Sequence, residues 1–198
     1  MSGTPSIANP PTKEHSPAGW WLIIGAVFVT VVGLAIALVM AVPSKRAANF
    51  RAFEVPSSAM EPTIMKGDRI IADMDYYRAR RPRDGDIVLY QREHTIFIKR
   101  IIASAGETIQ GSHGAVYVDT KLLVEPYVQH TGELTVELSE FGPEPVPSDS
   151  YFVMGDNRDV SLDSRTPEHG YVSANTIVGR PIRVLFNLRL NRFGKSIQ

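Results

Sequence analysis

The sequence predicts a mostly β, compact body carried behind one N-terminal transmembrane helix. Three observations predict it: a long uncharged apolar run near the N-terminus, short β-branched and aromatic runs separated by turn residues beyond Arg51, and no sustained 3.6-residue apolar period after the first run. A chain of 198 residues has room for one anchored domain with a real core, and not for two large soluble ones.

Residues 1–18, MSGTPSIANPPTKEHSPA, are rich in Pro, Ser and Thr and hold almost nothing apolar to bury, which predicts a disordered tail. Residues 19–42 carry no charge and have Thr30 as their polar side chain. About 20 apolar residues suffice to cross a lipid bilayer as a helix. Trp20 and Trp21 stand at one end, where interfacial anchors belong. The run exceeds the roughly 7 to 15 residues of a cleaved signal segment and no basic cluster precedes it, so it reads as an uncleaved anchor. Lys45, Arg46 and Arg51 follow the span whereas only Lys13, beside Glu14, precedes it. On charge alone the body would be cytoplasmic.

A linker over 43–52 leads to a β-rich domain over 53–190, and 191–198 reads as a C-terminal tail. Strands are expected at 85–91, 95–103, 115–119, 121–125, 135–141, 150–155 and 182–188, with Asp119-Thr120-Lys121 as a hairpin turn. There is no internal repeat. The body suggests a barrel or sandwich-like fold.

Composition narrows the chemistry. Lys plus Arg and Asp plus Glu are both 21, so no basic excess points to nucleic acid, and without cysteine there is no disulfide, zinc thiolate or cysteine nucleophile. Neither G-x-S-x-G nor H-E-x-x-H occurs, and His94 and His169 read as surface residues. No cofactor is expected.

Two stretches remain chemically dense. In TIFIKRIIA the strand period of two places Phe97, Lys99 and Ile101 on one face and Ile98, Arg100 and Ile102 on the other. Lys99 is then either an edge lysine whose ammonium reaches water, or a lysine desolvated by its neighbours. Burial lowers a lysine pKa, and a neutral amine can serve as a general base. In GDNRDVSLDSR, residues 155–165, the carboxylates Asp156, Asp159 and Asp163 suggest a calcium loop, but the glycine and glutamate such a loop needs are misplaced. The sounder reading is a turn-rich shelf carrying Ser161, with Arg158 or Arg165 paired to an aspartate.

VPSSAMEPTI, IKRII, FGPEPVPSDSYFVMGDNRDVSLDSR and GYVSANTIVGR, taken in order from about Phe53 to Pro181, resemble the type I signal peptidases, a family of membrane-anchored serine-lysine proteases. The resemblance implies that the residue before Met60 is the nucleophile, and here it is Ala59. It implies Lys99 as general base, Ser57 as a hydroxyl of the oxyanion hole, Ser161 as the serine that orients the lysine, and Arg100–Asp156 and Arg165–Asp163 as structural ion pairs. Substrates would be signal peptides of secretory preproteins, bound as an added β-strand and cut after small residues. The resemblance further implies a bacterial-type cytoplasmic (inner) membrane with the body on its extracytoplasmic side, against the charge reading. We adopt this orientation, since a difference of two or three charges does not prevent a domain from crossing.

Two departures, KRIIASAGE and Val160, remove no proton-transfer group. Ala59 removes one, because a methyl group cannot attack a carbonyl. Three explanations stand: an engineered serine-to-alanine variant, a displaced nucleophile at Ser58, or a silent relative that binds signal peptides or partner proteins without cutting. If 55–63 is extended, Ser58 faces away from Lys99 whenever residue 59 faces it, and only a turn or bulge changes that.

Overall fold

The computed structural model describes residues 27, 28, 30–34, 49–132 and 135–197. The chain divides into two units, Met1–Arg46 and Ala47–Gln198. In the first, residues 27, 28 and 30–34 are helical, and the Thr30 hydroxyl donates to the Val27 carbonyl at 2.8 Å. No helix among the described residues is long and apolar enough to cross a membrane. The predicted tail and the rest of the predicted anchor over 19–42 lie outside those residues.

The second unit is mostly β, as the sequence predicts. Its strands are β1 (Phe50–Glu54), β2 (Arg69–Asp73), β3 (Ile87–Arg92), β4 (Thr95–Ser104), β5 (Thr108–Ser112), β6 (Ala115–Val118), β7 (Lys121–Leu122), β8 (Phe141–Pro145), β9 (Ser150–Met154), β10 (Val172–Ser173), β11 (Ile177–Asn187) and β12 (Arg192–Phe193). One sheet has the order β1-β2-β11-β3-β4-β9-β10 with β12 on β11, and a second has the order β7-β6-β5-β8. Every pairing of these strands is antiparallel.

Strand β4 lies between β3 and β9, with Lys99 opposite Val88 and Arg100 opposite both Ile87 and Met154. An edge reading of Lys99 is therefore wrong. The alternation expected along β4 holds: Phe97 and Ile101 pack with Val88, Tyr90, Tyr151, Val153 and Val172, while Ile98 packs against a separate cluster containing Val55, Met60, Ile64 and Ile70. A third cluster, with Ile102, Ile109, Val116 and Phe152, brings residues of β5 and β6 against β4 and β9, and Phe141 stacks on Phe152 at 5.5 Å.

The hairpin at Asp119-Thr120 forms as expected, both residues having positive φ (48° and 66°) with Val118 paired to Lys121. Two positive φ values give the twist that suits a two-residue hairpin. Three expectations are corrected. The stretch 135–141 is not a strand: Val136–Ser139 is one helical turn, and β8 begins at Phe141. Its Leu138 carbonyl is taken by the Arg165 guanidinium at 3.1 Å, not by a neighbouring strand. Of 121–125 only Lys121–Leu122 pair, and Val124 is exposed. The segment 191–198 is no free tail, since Arg192–Phe193 pair with β11, Ile197 is buried, and its N–H donates to Ile182 O at 2.9 Å. That apolar side chain fills a core position beside Ile70 and Val184.

Candidate active site

The site forms where β4, the end of β9 and the turn after β1 meet. Residues 58–64 are turned, not extended: Glu61 N–H donates to Ser58 O at 3.1 Å and Ile64 N–H to Met60 O at 2.8 Å. The extended course assumed for 55–63 thus ends at Ser58, and strict alternation between Ser58 and Ala59 does not apply. Met60 is buried in the core beside Ile64, which pins the turn. Ala59 is buried, Ser58 partly exposed and Ser57 exposed.

Beyond β9 the chain bends at Gly155, and several predicted residues converge on it. A Cβ at Gly155 would lie 2.2 Å from Ser161 Oγ and 2.4 Å from the Ala59 carbonyl oxygen. Only hydrogen fits there. Gly155 N–H donates to Asp163 at 2.9 Å, and Asn157 N–H donates to Ala59 O at 3.1 Å, tying the turn to the GDN segment. The Ser161 hydroxyl is buried and helps to hold the charge of the Asp163 carboxylate.

Both predicted ion pairs form. Arg100 grips Asp156 with two bonds, 2.9 and 2.8 Å, and Arg165 grips Asp163 with two, 2.8 and 2.9 Å. Thr63 adds a bond to Asp156 at 2.5 Å, and the Arg100 guanidinium lies 3.9 Å from the Tyr127 ring centre. Arg158 does not pair with an aspartate; it pairs with Glu125, its Nη1 reaching Oε2 at 2.7 Å, while Asp159 bonds His130 at 2.7 Å. The three aspartates of the loop are thus held by Arg100, His130 and Arg165. Burial acts to raise the Asp163 pKa, but Arg165 and the Gly155 N–H outweigh it and hold that carboxyl below its usual range.

This pairing matters for Lys99, which is 4% exposed. Burial lowers its pKa from 10.5 to about 8; Asp163 and Asp156 oppose the drop and Arg165 supports it. Those carboxylates are already committed to arginines, so they restore little of the charge. Among the described residues no carboxylate forms an ion pair with Lys99. Between pH 8 and 10.5 the unfolded chain keeps a proton that folded Lys99 has released, so stability rises with pH across that window. Below it the buried charge is a standing penalty. At about 1.4 kcal/mol per pKa unit, we expect Lys99→Met to raise stability near pH 7 by up to about 3 kcal/mol. The gain should vanish above the unfolded-state pKa. Urea unfolding of the full chain in detergent at several pH values checks this, and no gain at pH 7 would show that the amine is solvated.

Sequence reasoning missed Tyr90, Thr63, Ser164 and Gly155, and misread His169, which is buried and not at the surface. Its Nε2 meets the Tyr90 hydroxyl at 2.5 Å, a contact 79 residues apart in sequence that no local pattern reveals. Ser164 was findable in principle, as part of DSR: it bonds the Val153 N–H through its hydroxyl at 3.0 Å and Val153 O through its own N–H at 3.0 Å. Gly155 was findable too, since a glycine at a strand end marks close backbone approach.

The fold and site define a mostly β protein, its strands paired antiparallel, built around a desolvated lysine. The signal peptidase family, peptidase S26, matches residues 24–186. A probable signal peptidase I-2 of Synechocystis is 38% identical over 176 residues, 85% of this chain and 74% of its own length. A signal peptidase I of Leptolyngbya laminosa is 34% identical over 164 residues, 78% and 76% of the two chains. The crystal structure of a signal peptidase I from Enterococcus faecalis superimposes with a TM-score of 0.44 at 27% identity, over 51% of this chain and 97% of that one. The chain belongs to the signal peptidase family, peptidase S26.

Proposed function

We propose that this chain acts on the signal peptides of secretory preproteins through a signal peptidase I type site, with Lys99 as general base and residue 59 as the nucleophile position. The observation that carries this reading is the convergence of the Ala59 backbone and Ser161 on Gly155, next to aspartates that reach the desolvated Lys99 electrostatically. An uncharged amine can take a proton from a serine hydroxyl as it attacks a carbonyl, and return it to the leaving amine. The oxyanion that forms would be met by the N–H of residue 59 and the Ser57 hydroxyl. The buried Ser161 hydroxyl, beside Asp163, would aim the lysine.

Substrate entry as an added strand suits the segment before the turn. Pro56 and Ser57 are exposed, and among the described residues the Ser57 main chain makes no backbone hydrogen bond. An extended peptide can use such free groups. The anchor over 19–42 would keep the body beside the membrane that holds the apolar part of a signal peptide, on the extracytoplasmic face.

Ala59 favours a second reading, a relative that binds signal peptides without cutting them. One experiment separates the two: the full chain in lipid vesicles, given a preprotein ending its signal in Ala-x-Ala. Cleavage that Ser58→Ala abolishes would assign the nucleophile to Ser58, for which the turn at 58–64 provides the needed departure from an extended chain. Saturable binding without cleavage would assign the binding role. A chain that neither binds nor cleaves the preprotein would overturn the proposal, and a body that protease cannot reach from outside intact spheroplasts would overturn its topology.

A further inference from the structure

Tyr90, Phe97 and His169 cluster on the face of β3 and β4 that also carries Lys99, and the acyl-transfer reading uses neither Tyr90 nor His169. Tyr90 pairs with Phe97 in register, two residues from the Val88–Lys99 pair, and their rings stack at 5.6 Å. Side chains two apart on a strand share a face. The His169 ring stands nearly perpendicular to both, 5.2 Å from Phe97 and 5.9 Å from Tyr90. The turn bearing it continues from the DSR segment: Thr166 N–H donates to Asp163 O, and His169 N–H to Thr166 O, both at 3.0 Å. Arg92 holds the turn from β3, donating to the carbonyls of His169 and Glu168.

The chemistry of the pair sets its direction. Tyr90 is almost wholly buried, and burial first, then the Asp163 charge, pushes its pKa far above the ordinary value, so the phenol stays protonated and donates. His169 Nε2 must then accept, which places the ring proton on Nδ1. Burial, Arg92 and Lys99 hold the His169 pKa down to about 4 against the pull of Asp163, so the ring is neutral wherever a lysine base would work. An imidazole suits this place because it packs its ring against Phe97 and offers an acceptor to a buried hydroxyl that would otherwise be unpaired.

We infer that His169 is a positioning residue for Lys99: latched by the Tyr90 hydroxyl, its neutral ring completes the apolar wall around the lysine and keeps water from the amine. The inference rests on Lys99 being the base. A cationic ring here would make Nε2 the donor to the Tyr90 oxygen, leave the buried phenol proton without its acceptor and add charge beside Lys99 and Arg92. The reaction itself does not require the imidazole to touch substrate.

The test follows the titration of Lys99 directly, by nuclear magnetic resonance of ε-carbon-labelled lysine in the full chain in detergent. We expect His169→Ala to raise the Lys99 pKa by a unit or more, a tenfold rise in its protonated-to-neutral ratio. The double variant Tyr90→Phe with His169→Phe, which keeps an apolar wall and leaves no hydroxyl unpaired, should restore the low value. A merely structural role would not give that pattern. In the unaltered chain the His169 ring proton should also show an inflection at the Lys99 pKa. If Lys99 titrates near 8 in both variants, or the inflection is missing, the inference is overturned while the base stands. If Lys99 titrates near 10.5 in the unaltered chain, the base reading itself falls. Should His169→Ala fail to fold, the inflection in the unaltered chain decides.

Discussion

Ala59→Ser is expected to create or strongly raise Lys99-dependent cleavage of preproteins after small residues, by on the order of a thousandfold or more, since a nucleophile with an aimed base supplies several powers of ten. Ala59 is buried and its carbonyl is already fixed by Asn157, so the backbone that must carry the hydroxyl is in place. One oxygen adds little volume there. The lysine is desolvated, and the Ser161 hydroxyl is buried at the site beside Asp163. The rate at limiting substrate should climb about tenfold per pH unit below pH 8 and level off above it, following the neutral fraction of Lys99. Lys99→Met added to Ala59→Ser should abolish the gain. A folded, membrane-inserted Ala59→Ser chain without cleavage would show that residue 59 is not the nucleophile position.

Gly155→Ala should unfold or severely loosen the site, at a cost of about 3 kcal/mol or more, at the upper end of what overpacking does. The new methyl would lie 2.2 Å from Ser161 Oγ, 2.5 Å from Ser161 Cβ and 2.4 Å from Ala59 O. The serine could be displaced, but the carbonyl cannot move without losing the Asn157 bond, and Gly155 itself is held to Asp163. Adding Ser161→Gly should recover only part of the loss, because the clash with Ala59 O remains. Urea unfolding of the full chain in detergent measures both, and Gly155→Ala with unchanged stability would refute the close packing of these three segments.

The two variants probe different levels of the same site. The first adds a missing atom to a frame that is ready for it, and the second removes the space that lets the frame close. Together they separate chemistry from assembly, since Ala59→Ser should leave stability nearly untouched.

The sequence by itself determined the β class of the body, most of its strands and the two faces of β4, because strand alternation is a local property; an Arg165–Asp163 pair is local too, whereas Arg100–Asp156, 56 residues apart, is implied by the family resemblance alone. Arg165 and Asp163 are two residues apart, and alternation put Lys99 between Phe97 and Ile101 before any fold was known. Only the tertiary structure decided that β4 is central, which makes Lys99 a buried group and not an edge lysine. It also turned 58–64 where the sequence suggested extension, converted 136–139 to a helical turn, built Ile197 into the core and buried His169. Each depends on partners distant in the chain: Arg165 for Leu138, Ile70 and Val184 for Ile197, Tyr90 for His169. A side chain's local pattern says which way it points; its solvation, and so its pKa, is set by what long-range packing puts there.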